Sequence, residues 1–144
     1  MNVVVVADHA GYYLKEELKI YLEELGHTVI DSGTDSPESV DYPDYADKAV
    51  KEILEKRAER GVFICGTGIG ISIAANRHVG IRAALCQDVY SAKLSRQHND
   101  SNVLAMGAGI VAVPMAKAIL RIWLETEFDG GRHVQRICKL DLNK

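Results

Sequence analysis

The stretch Gly61-Val-Phe-Ile-Cys-Gly-Thr-Gly-Ile-Gly-Ile-Ser72 joins an apolar run to a cysteine and then to three alternating glycines. Its residues 62–65 predict a buried strand, because they form a short, continuous apolar run. The glycines at positions 66, 68 and 70 let the backbone turn sharply, so that successive N–H groups point into one concavity that suits an anion. A helix is predicted over residues 69–77. The stretch therefore predicts a strand, an anion-binding loop and a helix, with Cys65 at the lip of the loop.

The same alternation of strand and helix patterns continues in both directions along the chain. Strands are predicted at residues 2–7, 28–30, 62–65, 81–86 and 102–106. Helices are predicted after each of them, with Pro43 and Pro114 near the starts of two and Asp88 as the cap of a third. Five such repeats favour an α/β fold, a Rossmann-like three-layer sandwich with a five-stranded parallel sheet and helices on both faces. Residues 1–144 are expected to form one domain.

The first predicted helix shows which of its faces should be buried. Leucines recur at positions 14, 18, 22 and 25, which is the spacing of one helix face. Charged residues occupy the opposite side, namely Lys15, Glu16, Lys19 and Glu23. The pattern predicts that the leucines pack against the sheet and that the charged side chains face solvent.

Composition and charge exclude several classes of protein. Hydrophobic residues make up 47% of the 144 residues and charged residues 26%, as in an ordinary globular enzyme. A formal net charge of -3 gives no reason to expect a nucleic-acid partner, and no apolar run is long enough to span a membrane. The first residues lack the pattern of a secretory signal, and the three cysteines form no CxxC pair, so we expect a reduced, cytoplasmic setting. No metal site is expected, because the five histidines form no HxxxH or HExxH motif.

Candidate functional residues follow three of the predicted strands. Ligands of open parallel sheets bind outside the carboxyl ends of the strands, near the switch in strand order. Asp8 and His9 follow the first strand, Cys65 and its glycines follow the third, and residues 107–109 follow the fifth. Backbone amides and a helix N-terminus would favour a thiolate at Cys65. The alternative is a small buried hydrophobe, but a position before a glycine loop favours a reactive Cys65. Cys86 and Cys138 lack such a context and are interpreted as structural.

Two further groups of residues have both a functional and a plain interpretation. His98, beside Asn99 at the end of a predicted helix, could act as an acid or base near neutral pH, or it could simply stabilise a solvated helix terminus. Arg132 and Arg136 stand four residues apart, so both would project from one face if residues 132–144 are helical, and together they could clamp a phosphate. On sequence alone a solvated basic tail is the favoured reading of the arginines.

Other glycine motifs fit the chain less well. Residues 66–72 lack the Gly-Lys-Ser/Thr of a Walker loop, and Ile71 occupies the position where a Cys-x5-Arg phosphatase loop requires arginine. Residues 107–112 match G-x-G-x-x-A, but they follow the last strand rather than the first. Nucleotide binding is therefore disfavoured.

An ordered set of motifs resembles one known family. The motifs are Asp8-His-Ala-Gly11, Asp41-Tyr-Pro-Asp-Tyr-Ala46, Cys65-Gly-Thr-Gly-Ile-Gly-Ile-Ser-Ile-Ala-Ala-Asn76, Gly80-Ile-Arg-Ala83, Ser95-Arg-Gln-His-Asn-Asp100 and Gly130-Gly-Arg-His133. Together they cover nearly the whole chain. They resemble the sugar-phosphate isomerase family that contains type B ribose-5-phosphate isomerase and the galactose-6-phosphate isomerase subunits. The chain resembles the ribose-5-phosphate branch most, because Cys65 occupies the position of the catalytic base in that branch.

This resemblance implies a reaction and roles for individual residues. It implies isomerisation of ribose 5-phosphate to ribulose 5-phosphate through an enediolate, without a cofactor. Cys65 would be the base, and His98 would help to open the sugar ring. The developing oxyanion would be held by the loop, in which Thr67 also contributes its hydroxyl region: Gly66, Thr67, Gly68, Ile69 and Gly70.

The resemblance also implies how the substrate and a second subunit are bound. Sugar contacts would come from Asp8, His9, Tyr42 and Asn99, and phosphate contacts from the C-terminal tail, residues 128–144, through Arg132 and Arg136. The implied assembly is a homodimer, or a dimer of such dimers, whose active site is shared between subunits. Many relatives carry arginine where this chain has Gly109, so six-carbon sugar phosphates such as allose or galactose 6-phosphate are alternative substrates. A non-catalytic sugar-phosphate sensor or partner subunit is the alternative from another functional class.

Overall fold

The computed structural model describes residues 1–141. Its five strands form one parallel sheet in the order β2-β1-β3-β5-β4: β1 Asn2–Ala7, β2 Thr28–Asp31, β3 Arg60–Cys65, β4 Ala83–Leu85 and β5 Val103–Gly107. Six α-helices connect and follow them: α1 Tyr12–Glu24, α2 Tyr42–Leu54, α3 Ile69–Asn76, α4 Val89–Asn99, α5 Val113–Glu125 and α6 Arg132–Asp141. The predicted α/β fold with a five-stranded parallel sheet is confirmed. The predicted domain runs three residues further, to 144, and those three lie outside the described residues.

Alternate residues of the strands pack into two separate apolar layers. Val3 and Val5 of β1 face a layer that contains the buried sides of α1, α4 and α5. Val4 and Val6 face the opposite layer, which is filled by α2 and α3. Because both faces are covered, the strands are apolar throughout rather than alternating, as expected for a parallel sheet. Helices on both faces confirm the predicted three-layer arrangement.

The strand order fixes where a crevice can form. β1 pairs with β2 on one side and with β3 on the other, so the chain reverses its winding direction at the β1–β3 pair. Ligands in such sheets bind outside the carboxyl ends of the strands at this point. We call the edge where the strands end the carboxyl rim and the edge where they begin the amino rim. The helices run back against the strands, so α3 begins at the carboxyl rim and α4 ends at the amino rim.

Two predictions about individual side chains need comment. The prediction that Lys15 faces solvent is wrong, since Lys15 is fully buried and its Nζ lies 2.7 Å from a carboxylate oxygen of Asp31 and 2.8 Å from Glu16. The charge is buried because β2 ends with a carboxylate beside this face of α1. The prediction that Asp88 caps α4 is confirmed, since its Oδ1 accepts a hydrogen bond from the Ser91 N–H at 2.7 Å. Within residues 1–141, every helix is too short or too polar to cross a bilayer.

Candidate active site

The glycine loop wraps around the sulfur of Cys65. Cys65 is the last residue of β3 and is 5% exposed, at the end of the apolar layer that α2 and α3 cover. Its Sγ accepts a hydrogen bond from the N–H of Gly68 at 3.1 Å. A backbone donor at this distance stabilises negative charge on sulfur. The strand end therefore places a thiol against a donor that supports its reactive form.

Only glycine fits at position 68. Its φ of +79° lies in the left-handed region, which disfavours residues with a Cβ. A Cβ there would lie 2.6 Å from Cδ1 of Leu85 and 2.7 Å from the carbonyl carbon of Met106. Gly68 also caps α3, whose positive N-terminal end faces the same loop. The direction of its N–H thus depends on the absence of a side chain.

The end of β5 supports the loop from the other side. Ala108 donates its N–H to the carbonyl oxygen of Cys65, and Gly109 donates to that of Gly66, both at 2.9 Å. A Cβ on Gly107 would lie 2.6 Å from the backbone of Thr67. These contacts account for the glycines of the G-x-G-x-x-A match by close packing of two loops.

Gln87 is a loop contact that the sequence analysis missed. Its Nε2 donates to the carbonyl oxygen of Thr67, and its Oε1 accepts from the N–H of Gly107, each at 3.2 Å. Thr67 itself is exposed, and its Oγ1 accepts from the N–H of Ile69 at 3.2 Å. A polar residue two positions after the end of β4, at the same rim as Cys65, was the available signal.

Asp8 and His9 form the turn beside the loop. The buried Asp8 accepts hydrogen bonds at Oδ1 from the N–H groups of Ala10 and Gly11, at 3.0 and 3.1 Å. Its position after β1 is thereby fixed by a short 3-10 turn, His9–Gly11. A Cβ on Gly66 would contact the Cβ of Ala10 at 3.7 Å, so this turn lies against the glycine loop.

The segment between β2 and α2 closes one side of the crevice. Val40 donates its N–H to Nδ1 of His9 at 3.2 Å, so a neutral His9 carries its proton on Nε2. Tyr42, at the start of α2, packs its ring over the loop, and a Cβ on Gly70 would lie 2.6 Å from its Cζ. The structure therefore brings Asp8, His9 and Tyr42 to the glycine loop that follows Cys65.

The remaining candidates lie together at the amino rim. His98 and Asn99 end α4, and Asp129 donates its N–H to the Gln97 carbonyl oxygen at 3.1 Å, which places the start of α6 beside them. The ring of His133 stacks on that of His98, with centroids 4.4 Å apart and planes 13° apart.

The segment after Gly131 is helical, which is the condition under which Arg132 and Arg136 share a face. Both arginines are exposed on α6, while His133 between them is buried. Burial, with the neighbouring charges of His98 and the two arginines, lowers the pKa of His133 below its ordinary value. The amino rim thus presents two exposed cations beside a stacked pair of imidazoles.

One chain does not unite these two groups. His98 lies five residues before Val103, the first residue of β5, whereas Cys65 is the last residue of β3. A six-residue strand spans roughly 20 Å. The structure therefore divides the predicted site into a carboxyl-rim half with the thiol and an amino-rim half with the histidine and arginines.

Comparison with known proteins identifies the family of this chain. The family model described as Ribose/Galactose Isomerase matches residues 3–140. The chain belongs to this family. Ribose-5-phosphate isomerase B of Escherichia coli (strain K12) is 51% identical over 130 residues, covering 90% of this chain and 87% of the relative. A solved structure of ribose-5-phosphate isomerase B from Clostridium thermocellum has a TM-score of 0.98 at 47% identity, covering 99% of this chain and 97% of that one.

Membership of the Ribose/Galactose Isomerase family confirms the predicted resemblance and the predicted isomerase class. The family is not uniform in its substrates. D-erythrulose-4-phosphate isomerase of Pectobacterium atrosepticum is 39% identical over 141 residues, covering 97% of this chain and 93% of the relative. Family membership therefore indicates an isomerase of sugar phosphates without selecting one sugar.

Proposed function

We propose that the protein interconverts ribose 5-phosphate and ribulose 5-phosphate through an enediolate, with Cys65 as the base. One observation carries the proposal: the Cys65 sulfur lies at the switch in strand order and accepts a hydrogen bond from Gly68 N–H at 3.1 Å. The high identity to ribose-5-phosphate isomerase B of Escherichia coli supports this choice of sugar. A sugar-phosphate sensor has no need of a base at this point.

Three proton transfers complete the chemistry. The Cys65 thiolate takes the proton from C2 of the open-chain aldose, and the electron pair left behind forms the enediolate, with the negative charge on O1. A proton passes from O2 to O1, the same thiol delivers its proton to C1, and the electron pair left on O2 forms the carbonyl of the ketose. The substrate is both oxidised and reduced, at neighbouring carbons, so no external oxidant or cofactor enters the balance.

The glycine loop stabilises the charge that develops on the substrate oxygen. The first N–H groups of a helix have no acceptor within it, and those at the start of α3 face the loop. Donors that are already oriented lower the barrier without reorganisation during the reaction. In this mechanism the oxyanion contacts are Gly66, Thr67, Gly68, Ile69 and Gly70, while Asp8, His9 and Tyr42 hold the sugar.

A second copy of the chain supplies the other half of the site. Its amino rim would bring His98 to open the sugar ring, Asn99 to bind the sugar, and Arg132 and Arg136 to hold the phosphate. In this proposal the tail from residue 128 serves the neighbouring site, and the homodimer contains two identical shared sites. Two exposed isoleucines of α3, Ile69 and Ile73, support a partner on this face, since they are 50% and 57% exposed beside the loop.

Turnover and isotope exchange test the reaction itself. Purified protein should convert ribose 5-phosphate to ribulose 5-phosphate and should incorporate deuterium from deuterated water into the sugar, because the thiol exchanges its proton with solvent. Absence of both conversion and exchange would favour the non-catalytic sensor instead.

Mixed dimers test the sharing of the site. Alone, Cys65→Ser chains should be nearly inactive, and Arg136→Ala chains should keep about a tenth of wild-type activity or less. After unfolding and refolding together, random pairing makes half of the dimers mixed, and each mixed dimer has one intact site, so activity should return to about a quarter of wild type. No recovery on mixing would mean that each chain uses its own Cys65 and Arg136.

A six-carbon sugar phosphate is the second candidate substrate, and Gly109 is the residue that supports it. A Cβ at this position would lie 3.0 Å from the carbonyl oxygen of Gly66, so an arginine would need a small shift of the loop. A panel of four-, five- and six-carbon aldose phosphates, assayed with wild type and Gly109→Arg, identifies the sugar. If Gly109 determines the preferred length of the sugar, the variant should change the order of the sugars by kcat/KM and not only the overall rate.

A further inference from the structure

Three side chains that do not belong to one sequence motif converge at the amino rim. His98 comes from the last turn of α4, Asp129 from the segment before α6, and His133 from the first turn of α6. One ligand atom from each lies within 4.8 Å of those of the other two. The motif rules for histidine pairs miss this cluster because the fold, and not helical spacing, brings the three together.

The ligand atoms of the cluster are available. Within residues 1–141, no hydrogen bond or ion pair engages the ring nitrogens of His98 and His133 or the carboxylate of Asp129. His133 is only 7% exposed, so its ring is held in place, and the backbone N–H of Asp129 is fixed by the Gln97 carbonyl oxygen at 3.1 Å. Polar atoms of a buried ring normally find a partner. Here ligand atoms of His98 and Asp129 lie within 4.8 Å of a ring nitrogen of His133.

We propose that His98, Asp129 and His133 bind a divalent transition-metal ion, with zinc as the preferred ion. Two imidazoles and a carboxylate are a common zinc ligand set that leaves a fourth position open. Zinc bonds of about 2.0–2.2 Å place tetrahedral ligand atoms roughly 3.3 Å apart. Asp129 is exposed and His98 only partly buried, so rotation of these two side chains toward His133 closes the remaining distance.

Charge and protonation set the strength of this site. Metal binding requires neutral imidazole, so binding should weaken as the pH falls. The carboxylate of Asp129 and the negative C-terminal end of α4 attract a cation, whereas Arg132, Arg136 and the N-terminal end of α6 oppose it. Both arginines are exposed, so solvent screens them. The balance predicts a site weaker than a structural zinc site with thiolate ligands.

Occupation of the site would inhibit the isomerase, and this consequence rests on the proposed function. The metal-bound nitrogen of an imidazole has no free lone pair, and the metal would occupy the space beside it, so His98 could not act as the base that opens the sugar ring. Metal binding itself does not depend on the reaction, which allows the two to be tested separately.

Metal binding is measured on the purified protein without substrate, with zinc by calorimetry and with cobalt(II) by absorption. Wild type should bind one zinc ion per chain. Asp129→Asn and His133→Gln should each weaken zinc binding about tenfold or more, whereas the control His78→Gln, at another surface histidine beside Asp47, should not. The cobalt spectrum should lack the near-ultraviolet charge-transfer band that thiolate ligands produce, which excludes Cys65 and Cys138 as the binding groups.

Three results would overturn the site. They are the absence of zinc binding in wild type, equal zinc binding in wild type and both variants, and a thiolate band in the cobalt spectrum. In the activity assay, zinc should inhibit wild type and His78→Gln, and Asp129→Asn should keep its activity while resisting zinc. If zinc binds at these residues but ribose 5-phosphate is not converted, the proposed function fails and the metal site stands.

Discussion

The two rims of the sheet carry different kinds of functional groups. At the carboxyl rim most contacts come from backbone N–H groups, and the ionisable candidates at the loop are Cys65, Asp8, His9 and Tyr42. At the amino rim the groups are side chains on helices, namely His98, Arg132 and Arg136. In the proposed function the carboxyl rim would hold an anion by preorganised dipoles and the amino rim by full charges.

This difference explains why neither rim is a complete site. Proton abstraction needs a base beside fixed donors, which the glycine loop supplies, and a sugar phosphate also needs cations for its phosphate. The fold places these two requirements at opposite ends of its strands. In the proposed dimer, a second copy would join them, so that remote phosphate binding could orient the carbons at Cys65.

The strongest test of the carboxyl rim is Cys65→Ser. A serine hydroxyl ionises far less readily than a thiol, so kcat should fall by about 10²–10⁴-fold while the fold is retained. The matched control is Cys86→Ser, since Cys86 is buried outside the loop and burial raises the pKa of its thiol. Steady-state kinetics and circular dichroism of both variants check the prediction. Equal activity in the two variants would remove Cys65 from the mechanism.

The next test concerns the backbone that surrounds the sulfur. Gly68→Ala should lower kcat by about 100-fold, because the added Cβ meets Leu85 and Met106 and displaces the N–H donor. Gly26→Ala is the matched control, since Gly26 has a similar φ of +86° but nothing within 4 Å of the added Cβ. The control should lose about 1 kcal/mol of stability, from the left-handed backbone alone, and no activity. Urea unfolding and kinetics separate the two effects, and an equal loss in both variants would contradict the close-packing argument.

A smaller effect is expected at the amino rim from Arg136→Ala. Loss of a charge-assisted hydrogen bond costs about 1.5–3 kcal/mol, so kcat/KM for ribose 5-phosphate should fall roughly 10- to 100-fold. Turnover of unphosphorylated ribose should not change. Arg121→Ala is the control, because Arg121 is exposed on α5 and paired with Glu125. A variant that loses activity equally on both sugars would show that Arg136 does not act through phosphate.

Sequence patterns predicted the carboxyl rim better than the amino rim. The glycines around Cys65 alternate within one short stretch of the chain, so the loop that they form could be predicted from local spacing. The burial of Lys15 depends on Asp31, which only the paired strands bring near it. Likewise, the stacking of His133 on His98 depends on how α6 packs against the end of α4, and no local pattern encodes that contact.

The smallest predicted effect is on acid stability, and it concerns the amino rim alone. Burial and the charges of His98, Arg132 and Arg136 lower the pKa of His133 in the folded state, whereas in the unfolded state it is about 6.5. Above about pH 6.5 the ring is neutral in both states, so it adds no pH dependence. As the pH falls below that value the unfolded state gains the proton first, and the free energy of unfolding decreases until the folded pKa is passed.

His133→Gln should therefore flatten the decrease of unfolding free energy between neutral and mildly acidic pH, as measured by urea unfolding. His27→Gln is the comparison, since burial and the N-terminal ammonium also lower the pKa of His27, at a position away from His98. Each substitution should remove its own part of the slope. Part of the His133 contribution comes from repulsion by the neighbouring His98 ring. A His98→Gln substitution should therefore change the pH slope of the wild-type unfolding free energy, and it should leave the contribution of His27 to that slope unchanged. An unchanged slope in His133→Gln would show that the buried ring takes up its proton as readily in the folded chain as in the unfolded one.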